Sequence, residues 1–138
     1  CPDMKDGNDD NNYKVFRYAD ALLLKAEALC ELKQETESIR YLNMTRNRAG
    51  LPDYEFRTYV RLQKEIRDER ARELFGEFQR KFDLVRWGIW YDSVCDLNDY
   101  QTILDNIKPC HRYYPIPDTQ VVYSKYNLDN NEYAQYGM

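Results

Sequence analysis

The sequence predicts an all-α chain built of helical hairpins and closed by an extended, loop-rich C-terminal tail. Three observations predict it. Apolar residues recur at threes and fours over several segments between Arg17 and Trp87, the spacing of one helix face. No alternating run is long enough to build a sheet. Beyond Ile107 the chain turns to Tyr113-Tyr114-Pro115-Ile116-Pro117, where each residue before a proline is biased to β or polyproline geometry.

The elements follow in chain order. Residues 1–12 (CPDMKDGNDDNN) are acidic, Asn-rich and nearly free of apolar side chains, so they form a loop or disordered lead-in to a helical domain over residues 13–138. The first helix runs from about Arg17 to Lys33. Ala19, Leu22, Leu23, Ala26, Leu29 and Cys30 make its main apolar face, and Ala21, Leu24 and Ala28 extend grease to most other sides. Such a helix belongs inside a bundle. A second helix runs from about Thr36, its expected N-cap, to Ala49, where Gly50 and Pro52 stop it. Two antiparallel helices joined by a short turn form the hairpin of tetratricopeptide-like arrays.

The third helix starts near Thr58 with Tyr59, Leu62 and Ile66 on one face. Following that face by helical turns reaches Arg70, Glu73 and Glu77, with Glu69 at its margin. If the helix continues through Gly76, which weakens or kinks it, then Arg80, Leu84 and Trp87 extend the stripe to a stop at Gly88. Charges on a core-facing stripe must be paired, because an isolated buried ion costs several kcal/mol. A structural ion network of Glu69, Arg70, Glu73, Glu77, Arg80, Asp83 and Arg86 is therefore expected, with Arg70–Glu73, Glu77–Arg80 and Asp83–Arg86 as near neighbours. From Ile89 to Ile107 periodicity is poor. One helical turn opened by Asp118 is expected in the tail.

Composition excludes several functions. The formal net charge of -4 leaves no basic stripe for phosphates, so nucleic acid is not an expected partner. The run Ala21–Leu24 stops at Lys25, far short of the ~20 residues of a membrane span. A mean hydropathy of -0.86 describes a heavily solvated surface. Among the aromatics, 13 tyrosines stand against 5 phenylalanines and 2 tryptophans; tyrosine suits interfaces and sugar contacts, and equally half-buried helical positions.

Of 4 cysteines and 1 histidine, no arrangement completes a zinc site. Cys95 and Cys110 bracket a loop-like segment as a candidate disulfide, against the alternative of two unrelated buried thiols. Asp20, Glu27 and Glu31 share a stripe at cation-ligand spacing, but Arg46 and Arg48 of the next helix, or water, are the expected partners. Trp90 and Tyr91, just past the helix end, are candidate ligand-binding residues, since either ring could stack on a sugar; a plug under the next loop is the alternative. His111 has no triad partner. No cofactor, metal or catalytic residue is assigned.

Blocks spread along the chain carry a resemblance. They are Arg17-Tyr18-Ala19-Asp20 with Leu22-Leu23 and Ala26-Glu27-Ala28-Leu29; Leu42-Asn43, Arg46 and Arg48-Ala49-Gly50-Leu51-Pro52; Ile66, Glu69-Arg70, Glu73-Leu74, Glu77, Arg80, Asp83-Leu84 and Arg86-Trp87-Gly88; and Tyr114-Pro115-Ile116-Pro117. In this order they are similar to SusD/RagB nutrient-binding proteins, from about Tyr13 to Tyr133. The chain departs from that pattern at Phe75-Gly76-Glu77-Phe78, at Gln120 and at Asn130-Asn131-Glu132-Tyr133. The resemblance implies a lipid-anchored, outward-facing outer-membrane protein. It would act with a TonB-dependent transporter to capture glycans or peptides without breaking bonds. It also implies that this is the C-terminal segment of a longer protein. On that basis Cys1 is a segment boundary, and membrane association runs only through an anchor outside or at the start of this stretch. A helical-repeat adaptor for another protein is the main alternative, and a glycosidase fragment using paired carboxylates is the second.

Overall fold

The computed structural model describes residues 15–137, so the expectations for residues 1–12 and Cys1 lie outside the described residues. The chain divides into two compact units, up to Phe78 and from Gln79 onward. Among the described residues every regular element is helical.

In the first unit α1 (Tyr18–Glu31) and α2 (Glu35–Arg48) form the hairpin, and α3 (Tyr59–Glu73) packs on both. The periodic apolar positions meet in a core of Leu23, Ala26, Cys30, Leu42, Leu62 and Ile66, with Ile39, Tyr41, Tyr54 and Tyr59 around it. Ser38 Oγ donates to the Ala26 carbonyl at 2.7 Å, tying the two hairpin helices where both are buried. Thr58 caps α3, accepting from the Arg61 N–H at 3.2 Å.

Helix ends obey backbone rules. At Gly50 (φ 74) the Gly50 N–H bonds the Asn47 carbonyl and the Leu51 N–H bonds that of Arg46, a Schellman stop in which glycine bears the left-handed residue without strain. At the end of α1 the same bonds form around Lys33, a non-glycine with φ 60. The expected Thr36 cap is not formed. Glu35 opens α2, with Gln34 before it and no side-chain cap.

The third helix does not run to Trp87. It ends at Glu73, and after a turn α4 (Arg80–Arg86) begins in the second unit. Gly76 (φ 78) and Phe78 (φ 60) both adopt left-handed backbone, which a right-handed helix excludes. Gly88 (φ 72) closes α4 by another Schellman pair. The stretch with poor periodicity holds α5 (Trp90–Leu97) and α6 (Gln101–Asn106), followed by a 3₁₀ turn at Pro109–Arg112. Then α7 (Asp118–Tyr123) opens at Asp118 as expected, and α8 (Asn131–Ala134) ends the ordered elements. Among the described residues no helix is long and apolar enough to cross a membrane.

Candidate functional site

The charged stripe of α3 becomes a web of cross-helix ion pairs. Glu69, whose side chain is 2% exposed, takes Arg72 Nη2 at 2.7 Å and Arg46 Nη1 at 3.5 Å. Arg46 also reaches Glu65 at 2.6 Å, and Arg72 reaches the same Glu65 oxygen at 2.7 Å. Glu73 takes Arg17 at 2.9 Å and Arg48 at 2.5 Å. Arg17 continues to Glu77 at 2.6 Å and donates to the Glu73 carbonyl at 2.7 Å. That last bond satisfies an orphan carbonyl at the C-terminus of α3, where a cation also suits the helix dipole.

Burial pushes the Glu73 carboxyl up, but hydrogen bonds from Arg17 and Arg48 outweigh it and hold the group below its ordinary value. The Glu77 and Glu73 hydrogen bonds raise the Arg17 guanidinium further above its already high value. Carboxylates so committed suit holding helices together; a general acid needs its proton retained.

The most buried pair joins α1 to α3. Arg70 Nη1 stands 2.8 Å from Asp20 Oδ1, with side chains 3% and 8% exposed. This is an ionic contact without hydrogen-bond alignment at that oxygen. Asp20 was expected to meet Arg46, Arg48 or water; it meets Arg70 of α3 instead, and Arg46 and Arg48 turn to Glu65, Glu69 and Glu73. Glu31, of the same stripe, accepts from Gln63 Nε2 at 2.5 Å. Glu65 and Arg72 had not been singled out, since they flank the apolar stripe; their i, i+7 spacing was the available signal.

In the second unit Asp83 is buried and pairs with Arg86 at 3.0 Å, as its spacing suggested. Arg80 and Arg86 lie 5.6 and 4.9 Å from the Trp87 ring. Glu77 belongs to the first unit and Arg80 to the second.

Trp90, for which the sequence offered either a stacking ring or a plug, is 8% exposed. It plugs the start of α5, with Lys81 Nζ 5.7 Å from its ring. Tyr91 is half-buried, and the Cys95 thiol that hydrogen-bonds its hydroxyl pushes the phenol up. Cys95 and Cys110 are unbonded thiols in the structure, as is Cys30. His111 accepts the Lys108 N–H at Nδ1 (3.2 Å), a capping role within the 3₁₀ turn.

Beside this lies a cleft that the sequence did not advertise. Asn130 clamps the tail: the Ile116 N–H donates to Asn130 Oδ1, and Asn130 Nδ2 donates to the Ile116 carbonyl, both at 2.9 Å. Lobes of about 400 and 800 Å³ open against the clamp, lined by Tyr113, Tyr114, Tyr133 and polar side chains of the last two helices.

These features define a helical-hairpin scaffold whose buried acids pair with arginines and whose tail carries an open aromatic cleft. The chain belongs to the SusD family, whose model matches residues 3–136. A SusD-like protein of Formosa agariphila is 40% identical over 121 residues, which is 80% of this chain and 22% of that protein. The starch-binding protein SusD of Bacteroides thetaiotaomicron is 28% identical over 125 residues, 89% of this chain and 22% of its own length. A crystal structure of a SusD superfamily protein from Bacteroides vulgatus matches 78% of this chain and 24% of that one, with 37% identity and a TM-score of 0.67. The chain thus spans about a quarter or less of the relatives it matches.

Proposed function

We propose that this chain is part of a non-enzymatic binding component of an outer-membrane nutrient-uptake complex. It captures glycan at the cell surface and presents it to a TonB-dependent transporter; peptide is the other cargo class to test. The observation that carries this reading is the family match across nearly the whole chain, with a similar protein named as starch-binding. The committed carboxylates of the first unit agree with capture in place of hydrolysis, because each accepts from one or two guanidiniums.

The test uses the intact protein against neutral and acidic oligosaccharide panels, with calorimetry for binding and a reducing-end assay for turnover. Binding without new reducing ends is expected. Turnover would replace this reading with a glycosidase, and absence of any saccharide or peptide binding would leave the adaptor in its place. Co-purification with a β-barrel transporter from the outer membrane is the expected partner result.

A further inference from the structure

We propose that the cleft between the Tyr113–Pro117 segment and α8 binds a neutral sugar ring of an oligosaccharide. The proposal rests on the glycan-capture reading and assigns that capture to particular residues.

The cleft is preformed. The two-way bond between Asn130 and the Ile116 backbone imitates a strand pair and pins the Pro-Ile-Pro segment, whose prolines already restrict it. The Tyr133 hydroxyl donates to the Tyr113 carbonyl at 2.5 Å and fixes the other end. The lobes, about 400 and 800 Å³, fall in the range of small-molecule sites, roughly 300–1,000 Å³.

A pyranose has an apolar C–H face and an edge of hydroxyls that each donate and accept. The cleft offers a match for both. Tyr113 and Tyr114 are 57% and 78% exposed. Lys81 Nζ sits 4.0 Å from the Tyr114 ring centre, and Arg112 lies 5.1 Å from that of Tyr113. Each cation steadies its ring, and both rings keep much of their surface in solvent. Asp118, Asn131 and Gln135 line the lobes. Their carboxylate and carboxamide groups supply acceptors and donors for hydroxyls.

Charge selects the class of sugar. Asp118, Asp129 and Glu132 line the lobes; of the cations at their rim, Arg112 is engaged by Glu132 at 2.8 Å and Lys81 lies over the Tyr114 ring, so the acids outnumber them. Uronate or sulfate groups would meet like charge and desolvation cost. Neutral glycans would not.

The experiment titrates the intact protein with maltoheptaose, xylohexaose and laminarihexaose, and with an oligogalacturonate as the acidic probe. Tyr114→Ala and Asn131→Ala should each weaken the best neutral ligand by about tenfold, the weight of one aromatic or polar contact, with unchanged Tm. Tyr114→Phe should bind like wild type, because stacking needs only the ring. Wild-type affinity in both alanine variants, or oligogalacturonate binding as well as the neutral probes, would overturn the cleft assignment while leaving glycan capture intact. Failure of the wild type to bind any probe or wider glycan panel would overturn both.

Discussion

Replacing Arg70 by methionine tests the deepest contact in the first unit. Asp20 and Arg70 have side chains 8% and 3% exposed and stand 2.8 Å apart. Arg70→Met leaves comparable bulk but strands the Asp20 carboxylate in its buried site. Removing one partner of a buried pair typically costs about 3–5 kcal/mol, a large share of the ~5–15 kcal/mol that stabilises a domain. Substituting both, as Asp20→Leu with Arg70→Met, removes the stranded Asp20 charge and should recover part of that loss. Urea unfolding of the intact protein, followed by circular dichroism, reads both numbers at constant slope. If Arg70→Met loses less than ~1 kcal/mol, well under the expected cost, Asp20 is solvated in solution and the buried-pair reasoning fails.

Two further predictions concern the same unit. Glu73 sits below its unfolded value near 4.5, so its contribution is present above that value and is lost as pH falls through the folded one. Glu73→Gln should flatten the acid limb of the urea midpoint below about pH 4.5; an unchanged limb would show that Arg17 and Arg48 do not favour its ionised form. Gly76, at φ 78 with no atom within 4 Å of a new Cβ, should cost about 1–2 kcal/mol when changed to alanine, from backbone strain alone. A melting temperature equal to wild type would refute the strained turn.

How much of this was legible depended on whether a feature is local. The Gly50 and Gly88 stops were readable because glycine alone bears their left-handed backbone cheaply. Lys33 and Phe78 adopt the same backbone without glycine, so the sequence carried no mark of them, and the break after Glu73 was read as a kink. The helices α5 and α6 are only 8 and 6 residues long, too short for a period to declare itself. The web's members were visible as charges on an apolar stripe. Their partners were not, because spacing within one helix proposes i, i+3 pairs, whereas packing brings Arg17, Arg46 and Arg48 from other segments. Trp90 shows the converse: its position after a helix end allowed an open ring or a plug, and tertiary packing buried it.

The web also raises a question of register that Asp20 answers. Glu65, Glu69, Glu73 and Glu77 stand at intervals of one helical turn. Extending helical spacing across the turn, sliding α3 past the hairpin by one such step would bring a fresh acid to Arg46 and Arg48 in place of the old one. The outer pairs alone therefore fix the register weakly. Asp20 has no such spare partner: one step either way from Arg70 lies Ile66 or Leu74, and a buried carboxylate against either would cost several kcal/mol. The Asp20–Arg70 pair is thus expected to add to the apolar contacts of Leu62 and Ile66 in selecting one alignment. The double variant Asp20→Leu with Arg70→Met should then lose uniqueness of alignment. Its amide spectrum should show doubled resonances for α3 residues in slow exchange. A single sharp set in the double variant would mean that the apolar contacts of Leu62 and Ile66 set the register without help.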